Sequence, residues 1–133
     1  MTPEQLLFSP THEWVGLETD AAGAKLAVVG ISDFAVKALT DLVFIELPAV
    51  GRQVTAGEPF GEIESVKAVN DINSPVTGEV VEVNAAIADQ LDRLSADPYG
   101  AGWLVKVALA GDGGLGALMD YAAYQEQCAA EDA

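Results

Sequence analysis

Lys67 is the only basic side chain between Arg52 and Arg93, a stretch that also holds Glu58, Glu62, Glu64, Asp71, Glu79, Glu82 and Asp89. Runs of strand character flank it, at residues 59–65 and 72–83. A solitary amine in an acidic, strand-rich stretch is a poor solubility device and a good displayed attachment point. Acylation of such an amine needs an accessible nitrogen that can lose a proton, presented reproducibly by a rigid scaffold.

The constellations of independent catalysis are missing. One histidine makes no metal cluster without a carboxylate array, and His12-Glu13 is not a ligand spacing, so no metal site is expected. G-x-S-x-G and phosphate-cradling glycine loops are absent. Glu62, Glu64 and Asp71 read as a solvated face rather than an acid–base pair. Cys128 is the only cysteine, with no histidine near it in sequence to activate it, and reads as a buried or half-buried structural thiol.

Positioning Lys67 requires a β scaffold, and the sequence predicts one. Residues 6–8 and 15–17 read as short strands around a Ser9-Pro10 break, with Thr11, His12, Glu13 and Trp14 leading into the second. A turn at 20–23 and a β-branched run at 25–29 complete an antiparallel hairpin. Ser32 is placed to cap a helix, Asp33 suits its dipole, and Ile31, Phe34, Ala35, Ala38 and Leu39 recur at helical spacing, so 32–40 is helical. Residues 42–47 form a strand stopped by Pro48, which has no N–H for a ladder. Another short strand falls at 53–54. The stretch PAVGRQVTAGEPFGEIES before Lys67 echoes SPVTGEVVEVNAAIADQL after it, which predicts two similar β units with Lys67 at their joint.

Further on, 85–94 carries helical spacing at Ile87, Leu91 and Leu94 until Asp97-Pro98-Tyr99-Gly100 ends it. Residues 103–109 are apolar on both faces, as in a central strand. Beyond a glycine-rich connector at 111–114, a helical segment spans about 115–128, one bent or two short helices, with Leu118, Met119, Ala122 and Ala123 facing the sheet. The tail 129–133 is expected to fray. Eight or nine short strands with three small helices predict one mostly-β (α+β) domain over 1–133, with a barrel or sandwich at its centre.

Composition bounds the partners. The 133 residues carry six basic and 21 acidic side chains, a formal net charge of −15, and half are hydrophobic. That is apolar enough for a core without disulfides, and too acidic for nucleic acid or anionic membrane surfaces. The charge favours partners with positive docking surfaces. No apolar run approaches the roughly 20 residues of a membrane span, and no signal or transit pattern opens the chain. A cytoplasmic protein is expected, or a mitochondrial matrix one after removal of a targeting peptide.

The segment Glu62-Ile63-Glu64-Ser65-Val66-Lys67-Ala68, followed by Asp71-Ile72, Ser74-Pro75-Val76 and Gly78-Glu79-Val80-Val81, resembles the lipoyl-attachment region of the glycine cleavage system H-protein family. The resemblance extends to His12-Glu13-Trp14, residues 28–32, Val43-Phe44-Ile45-Glu46-Leu47-Pro48, Pro98-Tyr99 and Gly102-Trp103-Leu104, nearly the whole chain. It departs mildly at 88–97, where Ser95 stands in place of a usual Asn, and at the bulkier Val69-Asn70.

What the resemblance implies is specific. The fold would be a biotinyl/lipoyl-carrier-like flattened barrel or sandwich of two small sheets with short flanking helices. Lys67, at a hairpin tip, would bear lipoate, with Glu64, Ser65, Val66 and Ala68 as the recognition surroundings. Thr11, His12, Glu13 and Asp71 match the cleft into which the loaded arm folds. The chain would catalyse nothing itself. It would take an aminomethyl group from glycine decarboxylase (P protein) to the tetrahydrofolate-dependent aminomethyltransferase (T protein), and electrons to dihydrolipoamide dehydrogenase (L protein). A lipoate ligase or lipoyl/octanoyl transferase would load it, and a monomer is expected. Rival readings are another lipoyl or biotinyl carrier, an H-like lipoyl relay or regulatory substrate, and an unmodified interaction module. Biotin carriers set their lysine between methionines, whereas Val66 and Ala68 flank this one.

Overall fold

A computed structural model describes residues 2–132, with Asp132 by its backbone alone. Among these residues the strands are β1 (Leu7–Phe8), β2 (Glu13–Thr19), β3 (Lys25–Ile31), β4 (Leu42–Glu46), β5 (Gln53–Val54), β6 (Pro59–Ser65), β7 (Val69–Asn73), β8 (Gly78–Val83) and β9 (Val105–Leu109). The α-helices are α1 (Asp33–Leu39), α2 (Asp92–Ala96) and α3 (Tyr121–Asp132). Six strands form one antiparallel sheet in the order β1-β2-β3-β9-β8-β5, and three form another in the order β4-β6-β7. The two are stacked as a flattened sandwich, and no closed barrel forms among the described residues. The echo across Lys67 has a structural counterpart, because β5–β8 and β6–β7 each join a strand before the lysine to one after it.

The larger sheet is covered on its inner face and, around β1 to β3, on its outer face too, which explains why β3 is apolar from Leu26 onward; in β9 Lys106 instead turns outward to pair with Glu18 at 2.8 Å. On one face Val15, Ala27, Val29, Val105 and Val107 pack against Ile45, Phe60, Ile63 and Ile72 of the smaller sheet. On the other, Val28 joins Leu6, Phe8, Trp14 and Tyr124, with Tyr99, Trp103 and Tyr121 at the margin. The rings of Phe8 and Tyr124 stack at 4.3 Å and 6°, worth about 0.5–1.5 kcal/mol beyond burial. The Trp14 indole donates to the Pro98 carbonyl at 3.0 Å, so this ring packs, as its position between hairpin and sheet suggests. Ser32 caps α1 by accepting the Ala35 N–H.

Four sequence expectations change. The run 72–83 is not one strand: β7 ends at Asn73, and the chain crosses to the other sheet before β8. Pro75 has no N–H to continue the ladder, and Ser74 turns the chain by bonding Val76 N–H and C=O. Residues 85–94 break into a 3₁₀ turn, Ala85–Asp89, and then α2, and each inserts one fully buried side chain, Ile87 and Leu94. Ala122 and Ala123 are exposed, because Tyr124 sets the rotation of α3 through its ring stack and hydroxyl bonds. Residues 129–132 are helical rather than frayed: Gln127 donates to the Pro10 carbonyl at 2.9 Å and Glu131 pairs with His12 at 3.1 Å, pinning the last turns. Ala133 lies outside the described residues.

Gly30 sits beneath the Trp14 ring, where an added Cβ would come within 2.4–2.5 Å of the indole. Gly30→Ala is therefore expected to destabilise the fold by about 1–3 kcal/mol through overpacking. Urea unfolding followed by tryptophan fluorescence checks this, and an unchanged midpoint would mean that the ring has room to move.

Candidate functional site

Strands β6 and β7 end in a tip whose two outermost residues are Val66 and Lys67. Ser65 N–H donates to the Ala68 carbonyl at 2.8 Å and closes the turn. The Ser65 hydroxyl oxygen, 7% exposed as a residue, accepts N–H groups from Lys67 at 3.3 Å and Ala68 at 3.2 Å. Val66 N–H donates to the Asp41 carbonyl at 3.0 Å, tying the tip to the start of β4. The backbone N–H groups of residues 65–68 are thus all committed, while the Lys67 side chain is exposed with no carboxylate in ion-pair range among the described residues.

Lys67 stands on the wall of a cleft of about 700 Å³. One side is apolar, from Phe34, Ala35, Ala38 and Leu39 of α1. The other is β7, the free edge of the smaller sheet, with Asn70, Asp71, Ile72 and Asn73. Pro10, Thr11, His12 and Glu13 form a third wall, and Glu131 of α3 reaches it as well. His12 has φ 76°, a left-handed backbone that a tight turn tolerates. Its ring stacks on Phe34 with centroids 5.1 Å apart.

Glu13 is the buried polar group of this cleft, 3% exposed. Ser9 Oγ donates to its Oε1 at 2.8 Å, Thr11 Oγ1 donates to the same oxygen, and Asn73 N–H of β7 donates to Oε2 at 3.3 Å. Desolvation raises its pKa above the ordinary carboxyl value, and the bonds from Thr11, Ser9 and Asn73 oppose the shift without cancelling it. Asp71 is exposed and in register with Glu62, itself in register with Glu46, so three carboxylates cross the smaller sheet in a row. A cation entering the cleft would meet one carboxyl group held out of water and another at its open edge.

A family model described as "Glycine cleavage H-protein" matches residues 6–131. The chain belongs to the glycine cleavage H-protein family. The glycine cleavage system H protein of Rhodopirellula baltica is 51% identical over 126 residues, covering 95% of this chain and 94% of that protein. The corresponding protein of Marinobacter nauticus is 47% identical over 130 residues, covering 98% and 97%. The crystal structure of a glycine cleavage system H protein from Mycobacterium marinum matches with a TM-score of 0.84 at 41% identity, covering 95% of this chain and 98% of that one. Membership makes the chain a component of the glycine cleavage system, of the lipoyl-carrier kind.

In this family member Thr11, His12, Glu13, Ser65, Lys67, Ala68 and Asp71 all line one cleft, although the first three come from a separate part of the sequence. Glu64 and Val66 lie outside that lining, and Glu64 is in register with Val69 and Phe44 on the smaller sheet. The sequence reading missed Ser9, Phe34, Tyr124 and Glu131. Hydroxyls four and two residues before Glu13 were a usable signal for the first. Tyr124 and Glu131 meet His12 across 112 and 119 residues, and no local pattern announces that. Cys128 likewise has no histidine near it in sequence, yet His12 comes close in space.

Because folding raises the Glu13 pKa above 4.5, the folded chain holds that proton more tightly than the unfolded chain. The contribution to stability is greatest below about 4.5 and is lost as pH rises through the raised value. Urea midpoints measured from about pH 4 to pH 8 should carry this falling component in the wild type and lack it in Glu13→Gln. Identical pH slopes would mean that Glu13 titrates as in water.

Proposed function

We propose that Lys67 bears lipoate as an amide on Nζ, and that the chain carries the aminomethyl group of glycine cleavage without catalysing any step. The observation that supports this most is a free amine on a rigid hairpin tip, on the wall of a cleft that also holds a buried carboxyl group. These residues fit the group: an exposed amine to attach it, and an apolar wall on α1 beside polar groups to receive it. When bound, lipoate supplies a disulfide–dithiol couple that can hold an aminomethyl group and two electrons.

The protein's own residues do the rest. Ser65 fixes the tip, and amide formation removes the positive charge of Lys67. Glu64, Ser65, Val66 and Ala68 form the surface that a lipoate ligase or lipoyl/octanoyl transferase reads. Phe34, Ala38 and Leu39 exclude water from one side of the cleft. Thr11 orients the Glu13 carboxyl group, and His12 closes the turn that carries it. Glu13 and Asp71 hold an ammonium-like end of the loaded arm, since charge-assisted bonds strengthen in a partly desolvated groove. The P protein loads the arm, the T protein unloads it and dihydrolipoamide dehydrogenase reoxidises it, each through transient docking to a monomer. A cytoplasmic setting accords with relatives from bacteria.

Intact-mass spectrometry after co-expression with a lipoate ligase and lipoate tests the attachment. One lipoyl increment is expected on the wild type and none on Lys67→Arg. No increment with a demonstrably active ligase would sink the reading, and a lipoylated chain that supports no glycine–bicarbonate exchange with purified P protein would place it outside glycine cleavage. For the cleft, Glu13→Ala should release the aminomethyl load at least about tenfold faster, the cost of one lost charge-assisted bond. An unchanged release rate would remove Glu13 from this role.

A further inference from the structure

The C-terminal half of α3 brings a second cluster of reactive side chains to the cleft. Tyr124, Cys128 and Glu131 fall four and three residues apart, on one stripe of the helix. His12, from the turn before β2, packs on that stripe. Its Nε2 lies 3.1 Å from Glu131 Oε2, and one ligand atom each from His12, Cys128 and Glu131 lie within 4.8 Å of one another. The sequence spacing gave no reason to join them, since they stand 116 and 119 residues from His12.

The surroundings of His12 are those of a metal-binding imidazole. Its Nδ1 is 2.6 Å from the Tyr124 hydroxyl oxygen, which is 2.5 Å from Ser32 Oγ. In the ion-free chain Nε2 faces the Glu131 carboxylate through its proton; once an ion displaces that proton, with Nδ1–H donated to Tyr124 and the tyrosine proton to Ser32, the Nε2 lone pair is directed to the same place. A partner that fixes the second ring nitrogen in this way is the usual companion of a histidine ligand. Gln127 Nε2, 3.3 Å from Glu131 Oε2, steadies the carboxylate. The histidine and glutamate side chains are 18% and 44% exposed, so an ion can enter from solvent.

We propose that His12 Nε2, Cys128 Sγ and the Glu131 carboxylate form a binding site for a zinc ion, with a fourth position left to water. Zinc binds sulfur, nitrogen and oxygen at about 2.0–2.3 Å. Tetrahedral ligands then stand roughly 3.4–3.7 Å apart, so atoms already within 4.8 Å need only side-chain rotation to close on the ion. The thiolate and imidazole select against magnesium and calcium, which prefer oxygen. Uptake trades the His12–Glu131 contact for metal bonds, displaces the proton that Nε2 shares with Glu131, and releases the thiol proton of Cys128 as the metal–sulfur bond forms. His12 and Glu131 both line the cleft, so the ion would fasten α3 to the cleft wall.

The test reads nothing of the carrier role, so the two readings fail separately. The full chain is prepared as Lys67→Arg, which leaves Cys128 as the only sulfur nucleophile, and is titrated anaerobically with cobalt(II) as a spectroscopic stand-in. One cobalt per monomer with a sulfur-to-cobalt charge-transfer band is expected, displaced by one equivalent of zinc. Adding Cys128→Ser should abolish the band and weaken zinc binding at least about tenfold, and Glu131→Gln should weaken it similarly while the band persists. With a single cysteine the band identifies its own ligand, even if the serine variant fails to fold. Absence of the band, zinc affinity unchanged in Cys128→Ser or Glu131→Gln, or a band seen only in a metal-bridged dimer would each overturn the site.

Discussion

A carboxyl group taken out of water joins the two halves of this structure. Glu13 belongs to β2 of the larger sheet, yet one of its oxygens accepts an N–H from Asn73 on the free edge of the smaller one. Burying a carboxylate costs several kcal/mol, and each hydrogen bond to a charged group returns about 1.5–3. Three such bonds bring the sum near balance, and the raised pKa shows that burial still has the upper hand. The group is therefore held in place yet poorly satisfied as an anion. It sits between the sheets where their edges part, and the cleft opens there.

The hairpin tip obeys the opposite logic. Its backbone N–H groups are committed to Ser65, Ala68 and Asp41, so Lys67 is delivered at a fixed place while its side chain stays free. A carrier benefits from that division, because a rigid mount makes the reach of a flexible arm reproducible. Around the mount the outer face of the smaller sheet joins exposed apolar groups, Phe44 and Val69, to Glu64 in one row and to Glu46, Glu62 and Asp71 in the next. With a net charge of −15 behind it, such a face promotes fast, salt-sensitive encounters with positive surfaces rather than long-lived complexes.

The C-terminal helix closes the remaining side. Tyr124 stacks on Phe8 and bonds to Ser32, which also caps α1, so one phenol links the first strand, the first helix and the last helix. Desolvation and the neighbouring Cys128 push the pKa of that phenol up, so it remains a neutral donor at any physiological pH. His12 adds a fourth connection, which makes the turn bearing Glu13 dependent on a helix more than a hundred residues away.

Much of this was legible in the chain. The isolation of Lys67, the strand pattern around it, the Ser32 cap and the β-branched run of β3 are local properties, set by charge spacing, side-chain period and hydrogen-bonding capacity within a few residues. They fixed the β-rich architecture and the attachment tip. Pro75 and Tyr124 show where local reading stops: the first sends a continuous β-prone run into two different sheets, and the second turns α3 away from the side its alanines suggested. The gathering of Thr11, His12, Glu13 and Asp71 into one cleft, and of His12 with Cys128 and Glu131, was decided by tertiary structure alone. Proximity across a hundred residues depends on how sheets stack and which helix face is buried, and those are set by the summed packing of the core rather than by any neighbour in sequence.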